Sequence, residues 1–136
     1  MVGAFIVDNY LYPCVFIYED KGISILFPDL DGCVSFGENE NQAYCNAKEA
    51  LALHLYGMEQ DDEHIPAPSM IKDVELEENE RAVFIEAFMP AFRAKQANKT
   101  VKKTLTIPAW LSIVAEKEGI NFSQVMQTAL REKLQV

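Results

Sequence analysis

The last 36 residues, residues 101–136, place the strongest constraint on how this chain can fold. They begin with the stretch KKTLTI at residues 102–107, in which polar and apolar residues alternate as in a β-strand. Two short amphipathic helices follow, the first opening at Pro108 and the second after Asn121. So short a segment cannot bury a sufficient core alone, and its strand has no partner within it. The pattern therefore predicts a homodimer in which two copies of the strand pair antiparallel above four helices.

The alternation gives the predicted strand two different faces. Leu105 and Ile107 would enter the dimer core, whereas Lys102, Thr104 and Thr106 would point outward. A two-stranded ribbon fits the major groove of B-DNA. Lysine can donate to guanine there, and threonine can offer a hydroxyl or a methyl group to a base. The outward face is therefore a candidate DNA-reading surface.

The start of the second helix is a candidate phosphate site. Gly119 ends the first helix, and Asn121 and Gln124 have the spacing of a capping box. The amides of Phe122, Ser123 and Gln124 then lie in the first turn, where they lack intrahelical partners at the positive end of the helix dipole. Such amides bind phosphate and position a protein on DNA without reading its sequence.

The segments KKTLTIPAWL and NFSQVMQTAL, separated by Gly119, resemble the ribbon-helix-helix family of DNA-binding dimers. The resemblance implies an operator DNA partner. It also implies two sets of contacts, to bases by Lys102, Thr104 and Thr106, and to phosphate by Asn121, Phe122 and Ser123. The two threonines depart from the family in being short. The alternative is a helical dimerisation tail with an ordinary exposed strand face.

Residues 1–90 predict a second, mixed unit. Apolar runs bounded by turn residues predict strands at residues 10–18, 23–27, 33–36 and 81–89. An alanine-rich amphipathic helix lies between the third and fourth strands and opens with Asn39 at its cap. Because proline cannot donate to a ladder, Pro13 is expected at a sheet edge or near the start of its strand. The order βββαβ predicts an α+β fold. The polar, basic residues 91–100 are interpreted as a linker to the tail, with a helix as the alternative, since only Asn98 and Thr100 weaken helix formation there.

Charge is divided unevenly along the chain. Residues 1–90 contain 18 acidic and four basic residues, a net charge of −14, whereas residues 91–136 carry +5. An acidic body with a basic tail suggests two partners of opposite charge, although ordinary surface variation gives the same pattern. Cys14, Cys33 and Cys45 lack metal-ligand spacing and suggest buried thiols in a reducing compartment. Residues 1–10 lack the basic start of a signal peptide, so we expect a cytoplasmic protein without membrane contact or cofactor.

A second resemblance covers about half of the chain. Four segments are similar to the HicB antitoxin family. They are YP-x-V-F, the run from Gly22 to Cys33 containing PDLDGC, the G-E-N sequence before the helix, and IPAPS at residues 65–69. The resemblance implies a body like a degenerate ribonuclease H fold that binds HicA, a small basic RNase toxin, and covers its active site. It also implies a C-terminal module that represses the operon as a dimer, within a complex that can form a higher toxin–antitoxin oligomer.

Three acids, Asp29, Asp31 and Glu38, are the candidate toxin contacts. The alternative for Asp29 and Asp31 is that they shape their turn through side-chain hydrogen bonds. We expect no catalytic residue, because a metal-dependent nuclease needs several converging carboxylates and the sequence places no later acid to join these two. The runner-up function is a free-standing ribbon-helix-helix repressor whose body binds another protein or a ligand. An antitoxin requires a short basic reading frame beside its gene, whereas a lone repressor does not.

Overall fold

A computed structural model describes residues 7–136, and in it four strands form one antiparallel sheet. The strands are β1 (Asn9–Glu19), β2 (Gly22–Leu26), β3 (Val34–Gly37) and β4 (Glu80–Phe88). Their order is β3-β2-β1-β4, and every neighbouring pair is antiparallel. The predicted βββαβ order and its three-stranded meander are therefore confirmed. The expectation of no signal peptide concerns residues 1–10, of which residues 1–6 lie outside the described residues.

Four α-helices complete the fold. They are α1 (Glu40–Gln60), α2 (Met89–Gln96), α3 (Ala109–Lys117) and α4 (Phe122–Leu134), with a 3-10 turn at Ile71–Asp73. Tertiary contacts divide the chain into two units, Met1–Thr100 and Val101–Val136, here called the body and the tail. Within residues 7–136, none of the helices combines the length and the apolar character needed to cross a membrane.

Pro13 lies inside β1, an inner strand of the sheet, so the prediction that placed it at an edge or near a strand start is wrong. The reason is the unequal length of the two neighbours of β1. On one side, β2 pairs with residues 15–19 and ends before it reaches Pro13. On the other side, Pro13 lies opposite Phe84 of β4. Since β2 does not extend that far, the donor that proline lacks is not needed there.

Helix α1 covers one face of the sheet and forms the core with it. The helix contributes a stripe of fully buried residues, Ala43, Ala47, Leu51 and Leu55, at the spacing that the sequence predicted. Its start is held by Asn39, whose side chain accepts the amide of Gln42 at 2.9 Å. Gly37 allows the close approach of β3, because a Cβ there would lie 2.3 Å from the nitrogen of Ala43.

Two of the three cysteines are buried as expected. Cys14 and Cys33 are buried, as predicted, and burial raises the pKa of Cys14 to about 12 and that of Cys33 to about 11. Cys45 is exposed, so the prediction of a buried thiol there is wrong. It follows Tyr44 on α1, and both residues lie away from the buried stripe of the helix.

Of the two possibilities for residues 91–100, a linker or a helix, the structure has a helix over residues 91–96, which belong to α2. Pro90 lies in the first turn of this helix, where its missing amide costs nothing. Phe92 packs edge-to-face on Tyr56 of α1, with ring centroids 5.9 Å apart. Polar composition suggested a linker, but these contacts with α1 hold the segment in the body.

The tail contains the two predicted helices. Gly119, with φ of +70°, ends α3, and the amide of Ile120 beyond it donates to the carbonyl of Ala115 at 3.0 Å. Residues 101–108 lie in no helix or strand of the single chain. Because strand pairing would require a second copy, the ribbon stays a prediction.

Candidate functional site

Asp29 fastens a distant loop to the turn between β2 and β3. Its carboxylate accepts two hydrogen bonds from Ser69, one from the amide at 3.0 Å and one from the hydroxyl at 2.5 Å. The two residues are 40 positions apart in sequence. The Asp29 side chain therefore has a structural use, although a different one from the local turn-shaping that the sequence suggested.

Tyr12 fastens the same loop from beneath. Its hydroxyl donates to the carbonyl oxygen of Pro66, and its side chain is 1% exposed. Burial raises the pKa of Tyr12 to about 12. The IPAPS segment, residues 65–69, is thus bound to the sheet at Pro66 and to the Asp29 turn at Ser69. Pro66 of this segment lines one side of the acidic cleft that also contains Asp29 and Asp31.

Arg93 of α2 forms a charged cluster that sequence reasoning missed. Its guanidinium donates twice to Glu59, at 3.0 Å and 2.6 Å, and once to the carbonyl of Val7 at 2.6 Å. Tyr10 donates to the same Glu59 at 3.2 Å, and its pKa is raised by burial and by that carboxylate. The hydrogen bond from Arg93 to Glu59 raises the pKa of the guanidinium further. Paired donors of this kind hold α2 against the end of α1.

Two of the three predicted toxin-contacting acids share one surface. Asp29 and Asp31 line an open cleft of about 540 Å³, whereas Glu38 is not among its lining residues. Other polar residues of the cleft are His54, Asp61, Glu63 and His64. Within the described residues, no cation lies at salt-bridge distance from Asp31 or Glu38. The arrangement gives the body an acidic surface whose charge is open to a basic partner.

The positions of these carboxylates also test whether the body could be a metal-dependent nuclease. Hydrolysis assisted by divalent metal needs several oxygen ligands directed at one point. Across residues 7–136, no three His, Cys, Asp or Glu side chains are placed to hold a metal ion. The nuclease alternative therefore gains no support from the placement of these side chains.

The tail exposes apolar side chains that its helices would be expected to bury. Leu105 is 61% exposed and Trp110 is 66% exposed, and no residue of the tail is buried. An open cavity of about 590 Å³ is lined largely by apolar residues, among them Leu105, Ile107, Leu111, Ala115, Phe122, Val125 and Met126. Leu105 and Ile107 are the two residues that the sequence assigned to the dimer core, and the others lie on α3 and α4. Lys102, Thr104 and Thr106 are exposed.

The start of α4 has the predicted cap. The side chain of Asn121 accepts the amide of Gln124 at 3.0 Å, so that amide is not free for a ligand. In the described part of the chain, the amides of Phe122 and Ser123 donate to no other group. The candidate phosphate site therefore consists of these two amides and the exposed hydroxyl of Ser123.

The fold, the acidic body and the tail can be compared with known proteins. Residues 12–128 match the sequence model of a family described as the HicB-like antitoxin of bacterial toxin–antitoxin systems. The chain is therefore a member of a class of proteins that work in toxin–antitoxin pairs. It belongs to the HicB-like antitoxin family.

Individual proteins and solved structures are also similar to this chain. The chain is 33% identical over 101 residues to an uncharacterized 14.9 kDa protein of Haemophilus phage HP1, a match that covers 74% of this chain and 75% of the relative. Among solved structures, a toxin–antitoxin complex from Streptococcus pneumoniae is similar, with 24% identity, 92% and 99% of the two chains covered and a TM-score of 0.59. The antitoxin HicB of Burkholderia pseudomallei is similar at 20% identity, with 92% and 98% covered and a TM-score of 0.50. These two structures support the fold.

Proposed function

We propose that this chain is a cytoplasmic antitoxin that binds a small basic RNase of the HicA kind and covers its active site. The family match over residues 12–128 carries the proposal. Charge supports it, because the body, residues 1–100, contains 18 acidic and seven basic residues and so has a net charge of −11. Such a body attracts a basic protein and competes with RNA phosphate for its binding surface. The likeness of the body to a degenerate ribonuclease H fold is part of the proposal.

The tail is proposed to dimerise as a ribbon-helix-helix module and to bind operator DNA, so that the antitoxin represses its own operon. The exposed apolar side chains of the tail support this, since Leu105 and Trp110 remain in water unless another surface covers them. In the dimer, Lys102, Thr104 and Thr106 of both copies would form one DNA-facing ribbon.

Inhibition of the toxin can be measured directly. The full chain is used to capture partners from the native host, and a captured basic protein of fewer than about 100 residues is assayed for RNA cleavage. We expect cleavage to stop at an equimolar amount of this chain and growth arrest by the partner to be relieved. An RNase whose cleavage the chain does not reduce would contradict the antitoxin function.

Operator binding is tested with the outward face of the predicted strand. Lys102→Ala and Thr104→Ala should each weaken operator binding by about tenfold or more, because two copies of each side chain face the groove. Lys133→Ala, which removes the same charge near the end of α4, is the control and should have a smaller effect. Loss of one charged phosphate contact in each subunit should lower the slope of log affinity against log salt by about 0.9 per contact. Normal operator binding by both strand variants would contradict the ribbon assignment.

A further inference from the structure

The outer edge of the sheet at β4 has no strand partner among the described residues. β4 is the last strand in the order β3-β2-β1-β4, and its whole length of nine residues pairs with β1 on one side. The register with β1 runs without a bulge from Ile17 opposite Glu80 to Asn9 opposite Phe88. An unpaired, regular strand edge is a template for another strand.

Two hydrogen bonds identify which peptide groups of β4 face outward. The amide of Met89 donates to the carbonyl of Asp8 at 2.7 Å, and the amide of Tyr18 donates to the carbonyl of Asn79 at 2.9 Å. Both pairs continue the β1–β4 register by one step, and hydrogen-bonded pairs alternate along an antiparallel ladder. The odd-numbered residues of β4 therefore bond to β1. The peptide groups of Ala82, Phe84, Glu86 and Phe88 face away from it.

The side chains of these four residues lie on one face of the sheet, beside the edge. They form an apolar surface that contains one acid. Phe84 is 50% exposed and Phe88 is 56% exposed. Leu11, also 50% exposed, lies opposite Glu86 in the register. Natural edges are usually protected by lysine, proline or a bulge, and residues 82–88 contain none of these. Among the described residues, no cation lies at salt-bridge distance from Glu86.

Charge selects the occupant of this edge. Two copies of the body would bring together two units that each carry a net charge of −11, from 18 acidic and seven basic residues over residues 1–100. A basic protein would instead gain from that charge and could place a lysine or arginine against Glu86. Strand addition uses main-chain hydrogen bonds for affinity and alternate side chains for specificity, and this edge provides both.

We propose that the small basic RNase toxin docks by pairing one of its strands with β4 between Ala82 and Phe88. Apolar side chains of the toxin strand pack on Phe84 and Phe88, and a basic side chain pairs with Glu86. This assignment rests on the proposed antitoxin function and specifies the toxin-binding surface. It moves the contact away from Asp29, which is held by Ser69.

Hydrogen exchange on the full chain tests the main-chain part of the proposal. The probe is the captured basic RNase, added in excess to the full-length antitoxin. We expect the amides of Ala82, Phe84 and Glu86 to exchange at about one tenth of their free rate or slower in the complex, while amides of the other edge strand, β3, keep their rates. Unchanged exchange at β4 in a complex that has formed would overturn this assignment alone. Slow exchange at β4 already in the free chain would also overturn it, since another copy would then occupy the edge.

A charge reversal tests the side-chain part. Glu86→Lys should weaken RNase binding by about tenfold or more, because the added lysine repels the basic side chain expected there. Glu49→Lys makes the same change at an exposed position on α1 and is the control for net charge. Equal effects of the two substitutions would overturn the docking surface. Failure of the unmodified chain to bind any small basic RNase would instead overturn the proposed function, and this assignment with it.

Discussion

The body and the tail differ in how much of their apolar surface they bury within one chain. All the buried hydrophobic residues of the described chain lie between Tyr12 and Met89. In the tail no residue is buried, although α3 and α4 carry apolar side chains such as Ile113, which is 66% exposed. A sheet covered by a helix of 21 residues closes a core, whereas two short helices cannot. One chain therefore closes the core of the body, whereas the apolar side chains of the tail stay in water unless another surface covers them.

The largest expected effect follows from placing a charge in the predicted core of the tail dimer. Leu105→Asp should weaken the tail dimer by about 4 kcal/mol, or roughly 1,000-fold, because two unpaired carboxylates would enter its core. Sedimentation of the full chain measures this, with Val136→Asp as the control at an exposed terminal position. A Leu105→Asp chain that stayed fully dimeric would locate the dimer interface in the body.

A cavity in the core of the body should have the next largest effect. Leu51→Ala removes a fully buried side chain of α1 and should lower the free energy of unfolding of the body by about 3 kcal/mol. Leu53→Ala changes the same residue type on the same helix, where the side chain is 55% exposed, and should cost about 0.5 kcal/mol or less. Denaturant unfolding of the two variants gives the difference. Equal losses would mean that α1 does not bury the stripe described here.

The ion pair that attaches α2 to α1 should contribute less to the stability of the body than the buried Leu51 does. Arg93→Met leaves Glu59 without its paired donors and should destabilise the body by about 1–2 kcal/mol, because a charged group loses its hydrogen bonds. Lys95→Met, on the exposed side of the same helix, removes the same charge and should change stability by about 0.5 kcal/mol or less. If the two variants unfold alike, α2 is a linker, as its composition suggested.

The last effect appears only at alkaline pH and is absent at neutral pH. Since burial raises the pKa of Tyr12 to about 12 from about 10, its contribution to stability is complete below about pH 10 and is lost as the pH rises through about 12. Tyr12→Phe should therefore reduce the fall in unfolding free energy across that interval. The buried thiol of Cys14 titrates near the same pH in both proteins, so the comparison isolates Tyr12. An unchanged fall would show that the phenol does not sense burial.

Sequence reasoning succeeded where local chemistry decides the structure. Asn39 and Asn121 cap their helices as predicted, and Gly119 ends α3 in the left-handed conformation that favours glycine. It failed where the outcome depends on which distant segments meet. The position of Pro13 was decided by the length of β2, and the pairing of Arg93 with Glu59 joins residues 34 positions apart. No local sequence pattern predicts such contacts, because the same side chains would be in water if the chain had a different fold.

The same distinction applies to the candidate sites. The acids that the turn motif indicated include Asp29, which the fold uses to hold Ser69. The β4 edge could not be predicted from the sequence, because an edge exists only once the strand order is known. The predicted tail contacts are still predictions, since they involve a second copy and DNA.

Because the proposed docking surface at β4 lies within the body, the body should inhibit the toxin without a paired tail. Purified Leu105→Asp chain is titrated into the RNase toxin, and RNA cleavage is followed beside operator binding by the same sample. We predict that cleavage still stops at an equimolar amount of the variant while operator binding is lost. Loss of inhibition together with operator binding, in a variant whose body unfolds as the unmodified chain does, would contradict the claim.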